Sequence, residues 1–201
     1  MSYRGKRLLD LVLTTPVFCA SLPVQAATAL VIRMRMGRPV LFRQQRPGLD
    51  GEPFEMLKFR TMLLPDPARG LVTDADRMTG LGSFLRSTSL DELPTLWNII
   101  RGDMSVVGPR PLLTQYLERY SPEQARRHEV RPGLTGLAQV NGRNAISWED
   151  KFNYDVTYVD THSLWGDLQI ILRTVLQVAR RDGITAAGEA TTTEFMGRQS
   201  A

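Results

Sequence analysis

From Leu11 to Ile32 the chain carries no charged side chain for 22 residues. At about 1.5 Å per residue such a run reaches roughly 33 Å as a helix, enough for the hydrocarbon core of a bilayer. Two features of the run argue against a plain crossing. Pro16 and Pro23 each remove a backbone donor, and Pro23 lies near the middle, where a broken hydrogen bond is costliest in lipid. Both flanks are also basic, Arg4, Lys6 and Arg7 before the run and Arg33, Arg35 and Arg38 after it, so both ends prefer the cytoplasmic face. A helix that enters the membrane, breaks at Pro23 with Ser21 beside the break, and returns to the same face satisfies both observations. A single crossing is the second reading. A cleaved secretory signal is the third, with Val24-Gln25-Ala26-Ala27 resembling a cleavage site, but the apolar character continues beyond that site.

The rest of the chain has the balance of a water-exposed domain. Mean hydropathy over the whole chain is −0.20. A length of 201 residues fits one domain with one sizeable core. The expected division is a membrane anchor over residues 1–40, a catalytic domain over 41–182 and a polar tail over 183–201. A net charge of +4 fits anionic partners, nucleic acid or a membrane surface. With aromatic residues at 7% and no interleaving of aromatic and basic positions, base stacking has no platform, so no nucleic-acid partner is expected and membrane phosphates fit better. The single cysteine, Cys19, rules out a disulfide framework or a cysteine zinc site, and His128 and His162 are too few for a histidine-rich metal site.

After the anchor, Arg38–Gly48 and Phe54–Met62 read as two extended segments around the turn Leu49-Asp50-Gly51-Glu52, which predicts a β-hairpin. On the second strand the alternation puts Lys58 and Arg60 on one face, as phosphate ligands or as a solvated face. Residues 63–80 read as a loop, and 81–86 and 93–100 as short helices that bring Arg86 toward the acids at 91 and 92. Ser121 predicts the start of a basic helix over 122–131. The glycine-punctuated stretch 131–143 is too irregular for a helix; its glycines serve either close approach to a ligand or tight turns. From Ser163 onward, Leu164, Leu168, Ile171, Leu172, Val175 and Ala179 recur at helical spacing; such a stripe predicts a core face or, beside a membrane anchor, a surface helix. The sum is an α+β chain, mostly helical, with a re-entrant helix-break-helix anchor, amphipathic surface helices and a small β-hairpin.

The chemistry concentrates between Ser89 and Pro111. Asp91 and Glu92 are adjacent, and Arg110 stands between Pro109 and Pro111. Paired carboxylates near a conformationally restricted guanidinium suit a metal-bound phosphate better than a core. Ser89-x-x-Glu92 also has the spacing of a capping box, which would commit Glu92 to a helix start and leave Asp91 unexplained by the cap.

Several motifs in order resemble the monotopic phosphoglycosyl transferases of bacteria. They are Lys6-Arg7-x-x-Asp10, the proline-broken apolar segment, Gln45-Arg46-Pro47-Gly48, Lys58-Phe59-Arg60-Thr61-Met62, Ser89–Pro94, Gly102-Asp103-Met104-Ser105, Gly108-Pro109-Arg110-Pro111 and Arg131–Gly136. Asn141–Glu149 and Ala190–Phe195 are similar to the small single-domain enzymes of the PglC type, which begin glycan assembly for protein glycosylation. The resemblance implies transfer of a sugar 1-phosphate from a UDP-sugar, an N-acetylated amino sugar such as UDP-diacetylbacillosamine, to undecaprenyl phosphate, with release of UMP. It implies Asp91 as nucleophile through a covalent phosphosugar intermediate and Glu92 as its partner at a Mg²⁺ site. Lys58, Arg60, Arg86, Arg110 and Arg143 then bind substrate. The implied setting is the cytoplasmic face of the bacterial inner membrane, with downstream glycosyltransferases as further partners. One departure touches the break, where much of the family has Ser-Pro and this chain has Leu22-Pro23 with Ser21 one place earlier. A membrane-tethered metal-dependent phosphohydrolase, with water as acceptor, and a non-enzymatic basic membrane adaptor are the alternatives. UMP release that stops without lipid phosphate separates the transferase from both.

Overall fold

The computed structural model describes residues 3–142, 146–180 and 194–197. It is mostly helical with two small sheets. A long helix α1 (Lys6–Met36) leads into an antiparallel hairpin of β1 (Leu41–Pro47) and β2 (Pro53–Phe59). The expected hairpin is present, with its turn over residues 48–52. The stretch read as a loop holds a short helix α2 (Asp74–Arg77), started by a Thr73–Asp76 capping box. Helices α3 (Gly80–Ser87) and α4 (Thr95–Arg101) follow where two short helices were expected. Next come β3 (Ser105–Val107), α5 (Pro122–Ala125), β4 (Gly133–Thr135), α6 (Leu137–Val140), α7 (Trp148–Thr161) and α8 (Leu164–Arg180). The basic helix expected over 122–131 is shorter, because after α5 the chain tightens into a 3₁₀ turn at Arg126–Glu129.

Helix α1 is one continuous helix through Pro16 and Pro23, which differs from the expected helix-break-helix. The Pro23 ring removes one donor, and the polar side chains beside it support the same turn. Ser21 Oγ donates to the Phe18 carbonyl at 2.8 Å and accepts from Gln25 Nε2 at 2.9 Å. Both ends of α1 are fastened to the same body. At the start, Arg7 donates to the Ile99 and Ile100 carbonyls at the end of α4, and Asp10 accepts from Ser105 Oγ and the Val106 amide. At the far end, Ile32 is buried with Phe59 and Leu85. Between them Val17, Leu22 and Val24 stay exposed. Among the described residues α1 is the one helix long and apolar enough to cross a membrane.

Helix α4 docks on the free edge of β2 through side chains that imitate a strand. Asn98, fully buried, accepts from the Leu57 amide at 3.0 Å and donates to the Glu55 carbonyl at 2.7 Å, and Thr95 Oγ1 donates to the Leu57 carbonyl at 2.7 Å. These bonds satisfy backbone groups that burial would otherwise leave unpaired, at about 1–3 kcal/mol each. They also fix the register of Lys58. The two glycine motifs meet in a parallel pairing of β3 with β4. A Cβ on Gly133 would stand 2.1 Å from the Gly108 nitrogen, so the glycines in this stretch admit backbone against backbone.

Helix α8 is turned differently from the predicted core stripe. Asp167 and Ile170 are buried and Thr174 is half-buried, while Leu164, Trp165, Leu168, Leu172, Val175 and Leu176 are exposed. Asp167 decides this orientation. It takes hydrogen bonds from Lys6, Tyr3 and Tyr158, and a carboxylate with three donors inside the fold fixes its own helix face.

Candidate active site

The chain leaves α3 at Ser87, turns with Ser89 in the left-handed region (φ 57°), and makes a three-residue 3₁₀ turn, Leu90–Glu92, before α4. No side-chain cap forms at Ser89. The capping box that the spacing allowed is therefore absent, and Glu92 is released for other partners. Its Oε1 accepts from Lys58 Nζ at 2.5 Å and lies 3.6 Å from Arg110 Nη2. Asp91 is buried, and among the described residues its carboxylate makes no hydrogen bond and no ion pair. Asp91 thus lies in a 3₁₀ turn rather than at the start of a regular α-helix, and the charges that act on it are those of Glu92, Lys58, Arg86 and Arg110.

Adjacent carboxylates titrate in opposite directions here. Burial pushes Asp91 up to about 6, the Glu92 charge adds to this, and Lys58, Arg86 and Arg110 oppose it. For Glu92 burial also raises the value, but Lys58 and then Arg110 overcome it and hold the carboxyl at about 2. Near neutral pH both are ionised, with Asp91 the more basic. Divergent values in neighbouring acids mark divided roles, one committed to charge pairing and one available for reaction.

Of the residues expected to bind substrate, Lys58, Arg86 and Arg110 lie around this pair. Lys58 is set by β2. Arg86 reaches across from α3 and donates Nε to Thr61 Oγ1 at 3.1 Å; burial lowers its pKa, and the Asp91 charge opposes that. Arg110 follows β3, and its side chain is half-exposed. Arg60 is elsewhere, contrary to the expectation from strand alternation. The ladder ends at Phe59, and the buried Arg60 guanidinium donates to the carbonyls of Met36, Gly37 and Arg38, where it caps α1. Those orphan carbonyls at a helix end attract a cation, so the side chain is spent on structure. Arg143 lies outside the described residues.

Two cations escaped the reading of single motifs. Arg46, at the end of β1, donates to the Pro111 carbonyl at 3.4 Å, and burial together with the Arg110 charge lowers it to about 10. Lys151 on α7 sits over the Trp148 ring at 4.4 Å, and burial and then Arg110 lower its pKa as well. The Gln45–Gly48 motif pointed to Arg46 without giving it a role. Lys151 has no comparable local signature.

The donor set fits a hard cation. Asp91 offers an unengaged carboxylate and Glu92 a second oxygen beside it. Mg²⁺ is ordinarily held by one or two carboxylates together with substrate phosphates and water. Among the described residues no three His, Cys, Asp or Glu side chains form a cluster able to hold an ion alone, so the phosphates would complete the shell.

The family model for bacterial sugar transferases matches residues 1–181. The chain is 49% identical over 193 residues to the uncharacterised sugar transferase EpsL of Bacillus subtilis, covering 96% of each. It is 44% identical over 189 residues to the UDP-glucose:undecaprenyl-phosphate glucose-1-phosphate transferase of Caulobacter vibrioides, covering 88% of this chain and 70% of that one. A third relative, the undecaprenyl-phosphate galactose phosphotransferase of Salmonella typhimurium, is 36% identical over 193 residues and is matched over 40% of its length and 85% of this chain. With the family model matched over nearly the whole chain, and with relatives at this identity, the chain belongs to the bacterial sugar transferase family and is a transferase.

Proposed function

We propose that this transferase moves a sugar 1-phosphate from a UDP-sugar to undecaprenyl phosphate and releases UMP, with Asp91 as covalent nucleophile. The observation that carries the proposal is the contrast within the acidic pair: Asp91 is buried, unpaired among the described residues and raised to about 6, while Glu92 is bound to Lys58. A carboxylate of raised basicity, with lysine and arginine charges about it, is suited to attack phosphorus without being neutralised by a fixed partner. In the first step an Asp91 oxygen forms a bond to the β-phosphorus, the bond from that phosphorus to the bridging oxygen breaks, and UMP leaves. In the second the lipid phosphate oxygen attacks the same phosphorus and frees Asp91. Lys58 holds Glu92 in place, and Arg86 and Arg110 offset negative charge on the phosphates. Mg²⁺, held by Asp91 and Glu92 with the substrate phosphates, would supply charge neutralisation as a Lewis acid.

The acceptor reading draws support from α1 and α8. Both ends of α1 are fastened to one body, Lys6 to Asp167 and Met36 to Arg60, which supports a seat with the two ends on one side of the bilayer. With basic residues at both ends this favours a re-entrant, monotopic seat on the cytoplasmic face. The exposed apolar face of α8 begins at the same place, since Asp167 joins the two helices, and it suits the headgroup boundary.

The donor sugar is decided by a panel. The relatives' names carry glucose and galactose, and UDP-diacetylbacillosamine belongs beside UDP-glucose and UDP-galactose in a UMP-release assay with undecaprenyl phosphate and Mg²⁺. One equivalent of the active donor without acceptor is expected to leave a phosphosugar on the peptide holding Asp91, read by mass spectrometry after rapid quenching. An adduct on Glu92, or kinetics requiring both substrates bound together, overturns the mechanism. UMP release that continues on water alone makes the enzyme a hydrolase. For topology, cysteines at Arg4 and Gly37 in a Cys19→Ser background are expected to label from one side, and labelling from opposite sides removes the re-entrant seat.

A further inference from the structure

Four consecutive residues leading to the Arg110 side chain have their backbone held by the fold. The Val107 carbonyl accepts from Lys6 Nζ at 2.9 Å and from Tyr158 OH at 3.0 Å. The Gly108 amide donates to the Thr135 carbonyl, and the Pro109 carbonyl accepts from the Gly133 amide, both at 2.9 Å. The Arg110 carbonyl accepts from Arg127 Nη2 at 2.7 Å. The outer two holds come from buried cations, and each cation has its own buried carboxylate. Lys6 pairs with Asp167 at 2.6 Å, and Arg127 pairs with Asp155 at 2.7 Å. Side-chain exposures are 10% and 0% for the first pair and 2% and 5% for the second. Helix α7 serves both, since Asp155 and Tyr158 lie three residues apart, on one face.

We propose that these two buried ion pairs are positioning devices for Arg110: by fixing the carbonyls on either side of it, they aim a half-exposed guanidinium at substrate phosphate. The inference rests on the reading of Arg110 as a phosphate ligand. Stability alone is a poor reason for the pairs, because burying two charges costs about as much as their attraction returns, and apolar residues of equal volume often do as well. What an apolar pair lacks is a hydrogen-bond donor for a chosen carbonyl. Here each cation has one: Lys6 serves Val107, and Arg127 spends one nitrogen on both Asp155 and the Arg110 carbonyl. Prolines at 109 and 111 restrict the torsions between the two holds. The guanidinium itself is left with Glu92 at 3.6 Å. A rigid base under a free head group loses little entropy when the head group binds phosphate.

The test is a double-mutant cycle on the full chain in detergent or nanodiscs, read as UDP affinity by calorimetry and as kcat and KM for UMP release. Arg127→Lys keeps the charge against Asp155 but lacks the planar fork that serves both acceptors. It is expected to weaken UDP binding and raise KM about tenfold, the effect of one charge-assisted hydrogen bond. In an Arg110→Ala background the same change is expected to cost less than about twofold, since there is no guanidinium left to aim. Tyr158→Phe, which removes one hydroxyl and preserves the ring, is expected to show the same non-additivity at smaller size and guards against misfolding of the lysine variant. Equal losses of UDP affinity in both backgrounds, or a lowered melting temperature with unchanged UDP affinity and KM, overturn the positioning role while leaving Arg110 as a ligand. UDP affinity and kinetics of wild type in Arg110→Ala remove Arg110 from the site and overturn both readings.

Discussion

Two places where acids meet bases, the buried ion pairs and the surroundings of Asp91 and Glu92, stand on different terms. In the buried pairs each carboxylate has one cation, and each cation holds a backbone carbonyl. Around Asp91 and Glu92 the cations are in excess, with Lys58, Arg86 and Arg110 close by and Arg46 and Lys151 near enough to feel the Arg110 charge. A matched pair is complete and serves as structure. An excess of cations beside an unpaired carboxylate attracts anions, and a UDP-sugar and a lipid phosphate would both bring negative charge to it.

The sharpest way to break this comparison is Asp91→Asn. The change keeps the shape and removes the attacking charge, so UMP release with or without acceptor is expected to fall by at least ~10³-fold, on the order of 4 kcal/mol of barrier. Retention of a tenth of the rate would show that Asp91 does not form the covalent bond. Glu92→Gln is expected to act less severely, through the loss of a partner for Lys58.

The same chemical change in the two regions is expected to move stability in opposite directions. Asp155→Asn leaves Arg127 buried without its counter-charge and is expected to cost about 3–5 kcal/mol. Burial raises both carboxyls, but Asp155 has Arg127 bound to it whereas Asp91 has no fixed partner among the described residues, so for Asp91 the sign reverses. Its folded pKa, about 6, is above the ordinary 3.8, so the folded state binds the proton more tightly than the unfolded chain. That contribution is complete below the unfolded value and is lost as pH rises through 6, leaving an ionised, buried Asp91 that costs about 2–3 kcal/mol at neutral pH. Asp91→Asn is therefore expected to raise the denaturation midpoint at pH 7.5 and to lose that advantage near pH 4. A loss of stability at pH 7.5 would mean that Asp91 has a structural partner.

How much of this could be read from the chain depends on distance along it. That Asp91, Glu92 and Arg110 come together was legible because they lie within one short stretch of unusual composition. The β-hairpin was legible from alternation around Asp50-Gly51. Arg60 was misplaced because alternation along a strand cannot reveal that the carbonyls at the end of α1 come within reach of its guanidinium. The buried pairs were not legible, since their members are 161 and 28 positions apart and no periodic pattern joins them. That the α8 stripe faces outward, the second of its two readings, rather than into the core could not be decided from the sequence for a related reason. Counting apolar residues cannot reveal that Asp167 belongs inside when its partners come from Tyr3, Lys6 and Tyr158. Of the tail read as polar, residues 194–197 are described, and there Phe195 is buried among Tyr116, Tyr120, Trp148 and Phe152. Polar composition concealed that single aromatic anchor.

Arg110→Lys sharpens the comparison from the side of the cations. Lysine preserves the charge and loses the bidentate fork. A rate loss of about 10–100-fold is expected from a charge-assisted hydrogen bond of about 1.5–3 kcal/mol. The loss is expected in kcat/KM for the donor, and folding stability is expected to change little because the side chain is half-exposed. Wild-type kinetics would place Arg110 outside the phosphate site.

The smallest expected effect isolates how the two adjacent acids influence one another. Burial is the first cause of the raised Asp91 pKa and the Glu92 charge the second, while Lys58, Arg86 and Arg110 pull it down. In Glu92→Gln the second cause is gone, and Lys58 and Arg110 no longer have a carboxylate between them to neutralise. Both changes act in the same direction. In the metal-free protein the Asp91 carboxyl, followed by carbon-detected NMR, is expected to titrate near 6 in the wild type and about one unit lower in Glu92→Gln, a change worth about 1.4 kcal/mol. Adding Mg²⁺ to the wild type is expected to lower the value further, because a cation at the carboxylate favours its charged form. An Asp91 titration unmoved by Glu92→Gln would mean that burial alone sets its basicity and that the adjacent acid acts only as the seat for Lys58. A titration moved by the substitution but indifferent to Mg²⁺ would leave the charge coupling intact and take Asp91 out of the metal site.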